Sequence, residues 1–177
     1  MGIILSGANP GVRLYDGETV TAFASVWNVD WSQHGAGTAL VLWHDDRVRV
    51  FGADAELARW LESYFVRHFP EVEGLTWPVP EPEVTDVVVD LDHGGRVTAR
   101  AADVEVTMCG VLCRRTFVTD DFPLDGVAHG LQLLLAPLSE GSISVGGQRL
   151  PGEVRVGGTM ERPTSSAFLA TAEVWSH

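Results

Sequence analysis

Apolar and polar positions alternate most regularly between Val84 and Ala101. A three-residue loop, His93-Gly94-Gly95, pairs Asp92 with Arg96 there. That register places Val87, Val89, Leu91, Val97, Ala99 and Ala101 on one face, with Asp86, Val88, Asp90, Thr98 and Arg100 on the other. One apolar face and one face of opposed charges predict a half-buried antiparallel pair. Gly95 suits the left-handed residue of such a loop.

The same alternation recurs along the chain. Glu18–Trp31 predicts a long strand whose odd positions carry Phe23, Trp27 and Trp31 and whose even positions carry Val20, Ala22, Ala24 and Val26. Neither face is charged over most of that length, so both are expected to be covered. Thr38–Trp43 and Arg47–Phe51 predict a hairpin turning at Asp45-Asp46, which sets Trp43 opposite Val48 and Val41 opposite Val50. After Ala101 the apolar parity changes from odd to even, predicting a bulge or corner near Ala102-Asp103. Gly130–Ala136 fits a strand or a short helix, with the alternation of Leu131, Leu133 and Leu135 favouring strand. Strands are also predicted over Leu112–Val118, in a Gly146-Gly147 hairpin, around Val154 and Val156, and over Ala167–Trp175. In the last of these, Phe168, Ala170, Ala172 and Val174 alternate on one side, while Asp120–Asp125 reads as a loop.

The period changes once. Between Asp54 and Phe69, residues Leu57, Trp60, Leu61, Tyr64 and Phe65 recur at helical spacing, Asp54 is placed as the N-cap, and Pro70 ends the run. About nine or ten strands and one amphipathic helix over 54–69 predict a mostly β (α+β) fold. It is an antiparallel β-barrel or a two-sheet sandwich with the helix packed on it. The 177 residues are read as a single globular domain, 1–177.

Composition narrows the function. All 12 basic residues are arginine, which excludes Schiff-base chemistry by a lysine of this chain. A net charge of −12 argues against nucleic acid and against an anionic membrane surface. Met1–Gly7 has no basic region and only a short aliphatic run, so a cytoplasmic location is expected. Cys109 and Cys113 are expected as reduced, mostly buried thiols, because four residues of extended strand span more than a disulfide allows.

No phosphate loop, nucleophile elbow, metal-helix motif or dinucleotide fingerprint is present, so neither a cofactor nor a metal is expected and catalytic residues are not assigned. Asp30, His34, His44, Asp45 and Asp46 gather near one hairpin without a fixed spacing, and read first as turn residues. Asp125 and His129 would touch only if their segment were helical. Arg114-Arg115 is a strand pair in which one guanidinium points inward, able to anchor a carboxylate or phosphate.

Six tryptophans are many for this length. Phe23, Trp27, Trp31 and Trp43, with His34 and Arg114 as polar companions, are the candidate lining of an apolar pocket inside the barrel. The competing account is a packed core under the helix. The expectation is a small-molecule binding protein, or a cofactor-independent enzyme, with an apolar or aromatic ligand. The alternative is a non-catalytic assembly protein that forms a homodimer or larger homo-oligomer through a sheet face or edge.

Overall fold

The computed structural model describes residues 2–177. Strands β1 (Ile3–Ala8), β2 (Gly11–Asp16), β3 (Thr19–Ser32), β4 (Gly37–His44) and β5 (Arg47–Gly52) precede the helical segment, which begins with α1 (Ala55–Trp60). After it come β6 (Glu81–Val84), β7 (Val87–Leu91), β8 (Val97–Ala101), β9 (Val104–Val111), β10 (Arg115–Leu124) and β11 (Val127–Val145). The chain ends with β12 (Gln148–Arg149), β13 (Val156–Gly158), β14 (Pro163–Ser165) and β15 (Ala167–Ser176).

Thirteen strands form one sheet in the order β6-β5-β4-β3-β1-β15-β11-β9-β8-β7; β2 lies against β3 and β15, and β10 and β12 against β11. Strands β13 and β14 make a separate ribbon. Twist folds this sheet over on itself. Its two ends meet through side chains rather than a backbone ladder: Thr38 Oγ1 donates to the Val87 carbonyl at 2.5 Å, and Arg49 pairs with Asp103 at 2.7 Å. The barrel therefore does not close, and of the two architectures expected the sandwich-like one is adopted.

The space between the folded halves is filled by aliphatic side chains, among them Val26, Leu40, Leu42, Val97, Val106, Met108 and Ile143. A second core lies on the outer face of β3, β4 and β15, beneath the helical segment, and holds the aromatics. Strand β3 serves both: Ala22, Ala24 and Val26 face the first core, Phe23 and Trp27 the second. Double coverage explains why neither of its faces is charged.

The Asp92–Arg96 loop forms as expected, with the Asp92 amide donating to the Arg96 carbonyl, Val87 opposite Ala101, and Gly95 at φ 85°. Trp43 lies opposite Val48, and Asp45 and Asp46 both take the left-handed conformation that a two-residue turn requires. The parity change after Ala101 comes from a tight two-residue turn: Ala101 pairs with Val104, and Ala102 sits at φ 48°. Segment 130–136 is strand, inside the 19-residue β11. Residues 120–124, expected as loop, instead extend β10, because the first half of β11 offers them a pairing edge.

Asp54 caps the helix by accepting from the Glu56 and Leu57 amides. The helix then widens into a π turn over Leu61–Phe65, tightens into a 3-10 turn over Val66–His68, and stops at Phe69, which is extended ahead of Pro70. In the widened turn, residues five apart share a face. Arg67 accordingly reaches back to the buried Glu62 carboxylate with two hydrogen bonds of 2.7 Å. No helix among the described residues is long and apolar enough to cross a membrane.

Replacing Asp54 with Ala leaves two first-turn amides without a side-chain acceptor. Urea unfolding of Asp54→Ala is expected to show a loss of about 1 kcal/mol with an unchanged m-value.

Candidate functional site

A cavity of about 260 Å³ opens on the outer face of the sheet, between β10, β11, β15 and the chain just after the helix. Alternation on β11 builds its floor, sending Leu131, Leu133, Leu135 and Pro137 to this side. Arg115 and Phe117 come from β10, with Phe122 re-aimed by a register shift between Thr119 and Phe122. Phe69 and Glu71 close the roof, and Asn9, Thr164 and Ser165 stand at the sides.

Strand β15 contributes in two registers. Phe168 and Ala170 face the cavity before Ala172, and Glu173 and Trp175 face it afterwards. Between them lies a bulge with Ala172 at φ 47°, where the pairing with β11 slips by one residue. The expected single face of Phe168, Ala170, Ala172 and Val174 is therefore split. Without that extra residue, Glu173 would lie on the opposite face.

Glu173 is 3% exposed, and the Trp175 Nε1–H donates to its Oε1 at 2.6 Å. Burial pushes this carboxyl up to about 8; the indole hydrogen bond opposes the shift and the charge of Glu71 reinforces it. Protein packed around the half-buried Glu71 likewise raises its pKa, against its own backbone amide and Arg13. Arg13 does not form an ion pair with that carboxylate; its Nη1 donates to the Glu71 backbone carbonyl at 3.2 Å. Arg115 Nη1 donates to the Pro163 carbonyl at 2.9 Å and approaches Cys113 Sγ at 3.3 Å. The cavity thus holds two carboxyls and one guanidinium among hydrophobic walls, with no salt bridge between them among the described residues.

Beyond Trp175 a second polar group is buried. The His129 Nδ1–H donates to the Val127 carbonyl at 2.9 Å, which leaves Nε2 to accept from the Tyr64 hydroxyl at 2.8 Å. Burial raises the Tyr64 pKa. Asp125 does not meet His129, because a hairpin turn at Asp125-Gly126 separates them.

The residues singled out in sequence lie elsewhere. Phe23, Trp27 and Trp43 are packed beneath the helical segment in the second core, with the Trp43 indole donating to the Thr76 carbonyl. Trp31 leaves the face of Phe23 and Trp27, because the pairing of β3 with β1 slips a residue between Val29 and Trp31; it is 50% exposed. His34 is exposed, with its ring 4.5 Å from that of Trp60. Arg114 is exposed and reaches the His93 carbonyl, and its neighbour Arg115 is the one turned into the cavity. Asp30, Asp45 and Asp46 are exposed.

Glu71, Glu173 and Asn9 escape a sequence reading. For Glu173 the one signal is a carboxylate set between apolar residues in Ala-Glu-Val-Trp, and it points to the wrong face until the bulge is known. Both cysteines are free and half-buried rather than buried. The Cys109 thiol donates to Glu140 at 3.1 Å, and that bond and burial raise its pKa, which leaves it a poor nucleophile. No cluster of three or more metal-ligating side chains occurs among the described residues. In comparisons with family models, curated proteins and solved structures, the chain matches none.

Glu173 makes stability depend on pH. In the unfolded chain its carboxyl ionises near 4.5, in the folded chain only near 8. Below the lower value both states hold the proton. Between the two values ionisation favours unfolding, so stability falls as pH rises to about 8 and then levels. Urea unfolding between pH 5 and pH 8 is expected to lose on the order of 4 kcal/mol from this group. In Glu173→Gln this contribution should disappear, leaving the decline due to Glu71, whose burial raises its pKa in the same direction.

Proposed function

We propose that the protein binds an apolar or aromatic small molecule in the cavity between the helix end and strands β10, β11 and β15. It acts there as a binding protein or as an enzyme that needs no cofactor. The observation that carries this reading is the composition of the cavity. Leucine and phenylalanine walls surround a buried carboxyl whose second oxygen has no protein partner among the described residues. Few polar groups set into an apolar concavity is the usual make-up of a ligand site. A buried ionisable group with a strongly displaced pKa is a common mark of function.

The alternative is assembly. Among the described residues edge strand β10 pairs only with β11, and Ile3, Val118 and Leu134 are at least half exposed on the opposite face of this part of the sheet. An unprotected edge beside apolar side chains favours a second copy of the chain.

Trp175 forms a wall of the cavity, so its emission reports on occupancy. Titration with a panel of arylalkyl compounds is expected to shift tryptophan fluorescence at micromolar concentration. Leu133→Trp, which fills the floor, should weaken binding at least tenfold. A flat response across the panel, with a mass that rises with protein concentration and is reduced by Val118→Asp, would favour assembly instead.

A further inference from the structure

Resting on the reading of the cavity as a ligand site, we propose that its ligand is an organic cation: an amine with a hydrophobic, arylalkyl-sized body whose ammonium group is bound by Glu173, with Glu71 as the second carboxyl. Burying a carboxyl in an apolar site is costly unless a partner compensates it. Among the described residues the protein supplies one indole N–H to one oxygen and no cation to either. The missing partner arrives with the ligand.

Three further features select a cation. Five aromatic rings, Phe69, Phe117, Phe122, Phe168 and Trp175, line the same cavity, and aromatic faces attract ammonium groups. Two carboxyls face a single guanidinium, so the cavity becomes net acidic once both are ionised. The net charge of −12 steers cations towards the protein and anions away.

Arg115 stands apart from the proposed ammonium position. Its strand, β10, is separated from β15 by β11, with strands ~4.8 Å apart. Arg115 lies level with Ala170, three residues along β15 from Glu173, so its backbone is well over ~10 Å from that of Glu173. Its Nη1 is already held by the Pro163 carbonyl.

Entry of the ligand is coupled to a proton. At pH 7 the ammonium form enters, the Glu173 carboxylic acid loses its proton to solvent, and an ammonium–carboxylate pair forms; charge and protons balance with no other reactant. The charged or titratable groups that bear on Glu173 are Glu71 from the roof, Arg13 behind Glu71, Arg115 from β10, and His129 beyond Trp175; β1, which pairs alongside, contributes none.

The test uses three probes with one body: phenylpropylamine, phenylpropanol and phenylpropanoate. Calorimetry at pH 7 is expected to give the amine at least tenfold tighter binding than the alcohol. Repeating it in buffers of different ionisation enthalpy should show close to one proton released per amine bound. Amine affinity should rise by up to tenfold per pH unit from pH 6 and level near pH 8, where free Glu173 is ionised. Glu173→Gln still accepts the Trp175 hydrogen bond, and should lose both the preference for the amine over the alcohol and the proton release. Equal affinity for amine and alcohol, tightest binding of the carboxylate, or amine binding without proton release would overturn the proposal and leave the cavity reading intact. Failure of all three probes to bind overturns both.

Discussion

Phe69 stacked between two indoles is the contact on which the arrangement of this molecule depends. Its ring lies 6.1 Å from that of Trp27 at 24° and 6.2 Å from that of Trp175 at 15°. Trp27 belongs to β3 and Trp175 to β15, so one side chain ties the end of the helical segment to two strands of the sheet. Phe65 adds contacts at 5.4 Å and 5.0 Å to the same two indoles. Fully burying an aromatic side chain of this kind removes roughly 200 Å² from water, worth about 5 kcal/mol, and stacked pairs add about 1 kcal/mol each. The indole N–H of Trp27 has no partner among the described residues, a cost that this packing offsets.

The clamp decides where the chain goes next. Pro70 forbids continuation of the helix, and the anchored Phe69 directs the following turn over the sheet, so that Glu71 becomes the roof of the cavity. The bidentate Glu62–Arg67 pair, formed across the π turn, fixes the preceding residues in the same way. Removing the guanidinium would leave a buried charge without compensation, which is far more costly than losing an exposed pair.

Bulges carry the functional consequence. A one-residue slip in a strand reverses every side chain beyond it. The slip at Ala172 turns Glu173 and Trp175 to the outer face, and the slip in β3 turns Trp31 away from its neighbours. Ala172 takes a left-handed conformation that an alanine adopts only under tertiary constraint, here the simultaneous pairing of β15 with β1 and β11. Local strain and a buried carboxyl therefore sit at adjacent positions. Both are costs, and both serve the one cavity.

Local alternation by itself determined the hairpins. The pairing of Asp92 with Arg96, of Trp43 with Val48 and of Val145 with Gln148 follows from turn residues and period, because each involves neighbours in the chain. The helix and its Asp54 cap were determined in the same way, as was the double coverage of β3. Only the tertiary structure decided which of its two cores holds the aromatics, that the sandwich rather than the barrel forms, and that Arg115 rather than Arg114 turns inward. It also brought Glu71 and Glu173 together across about a hundred residues. The physical reason is that a strand's period is two: the sequence specifies alternation, but a single inserted residue, placed by pairing partners distant in the chain, reassigns the faces.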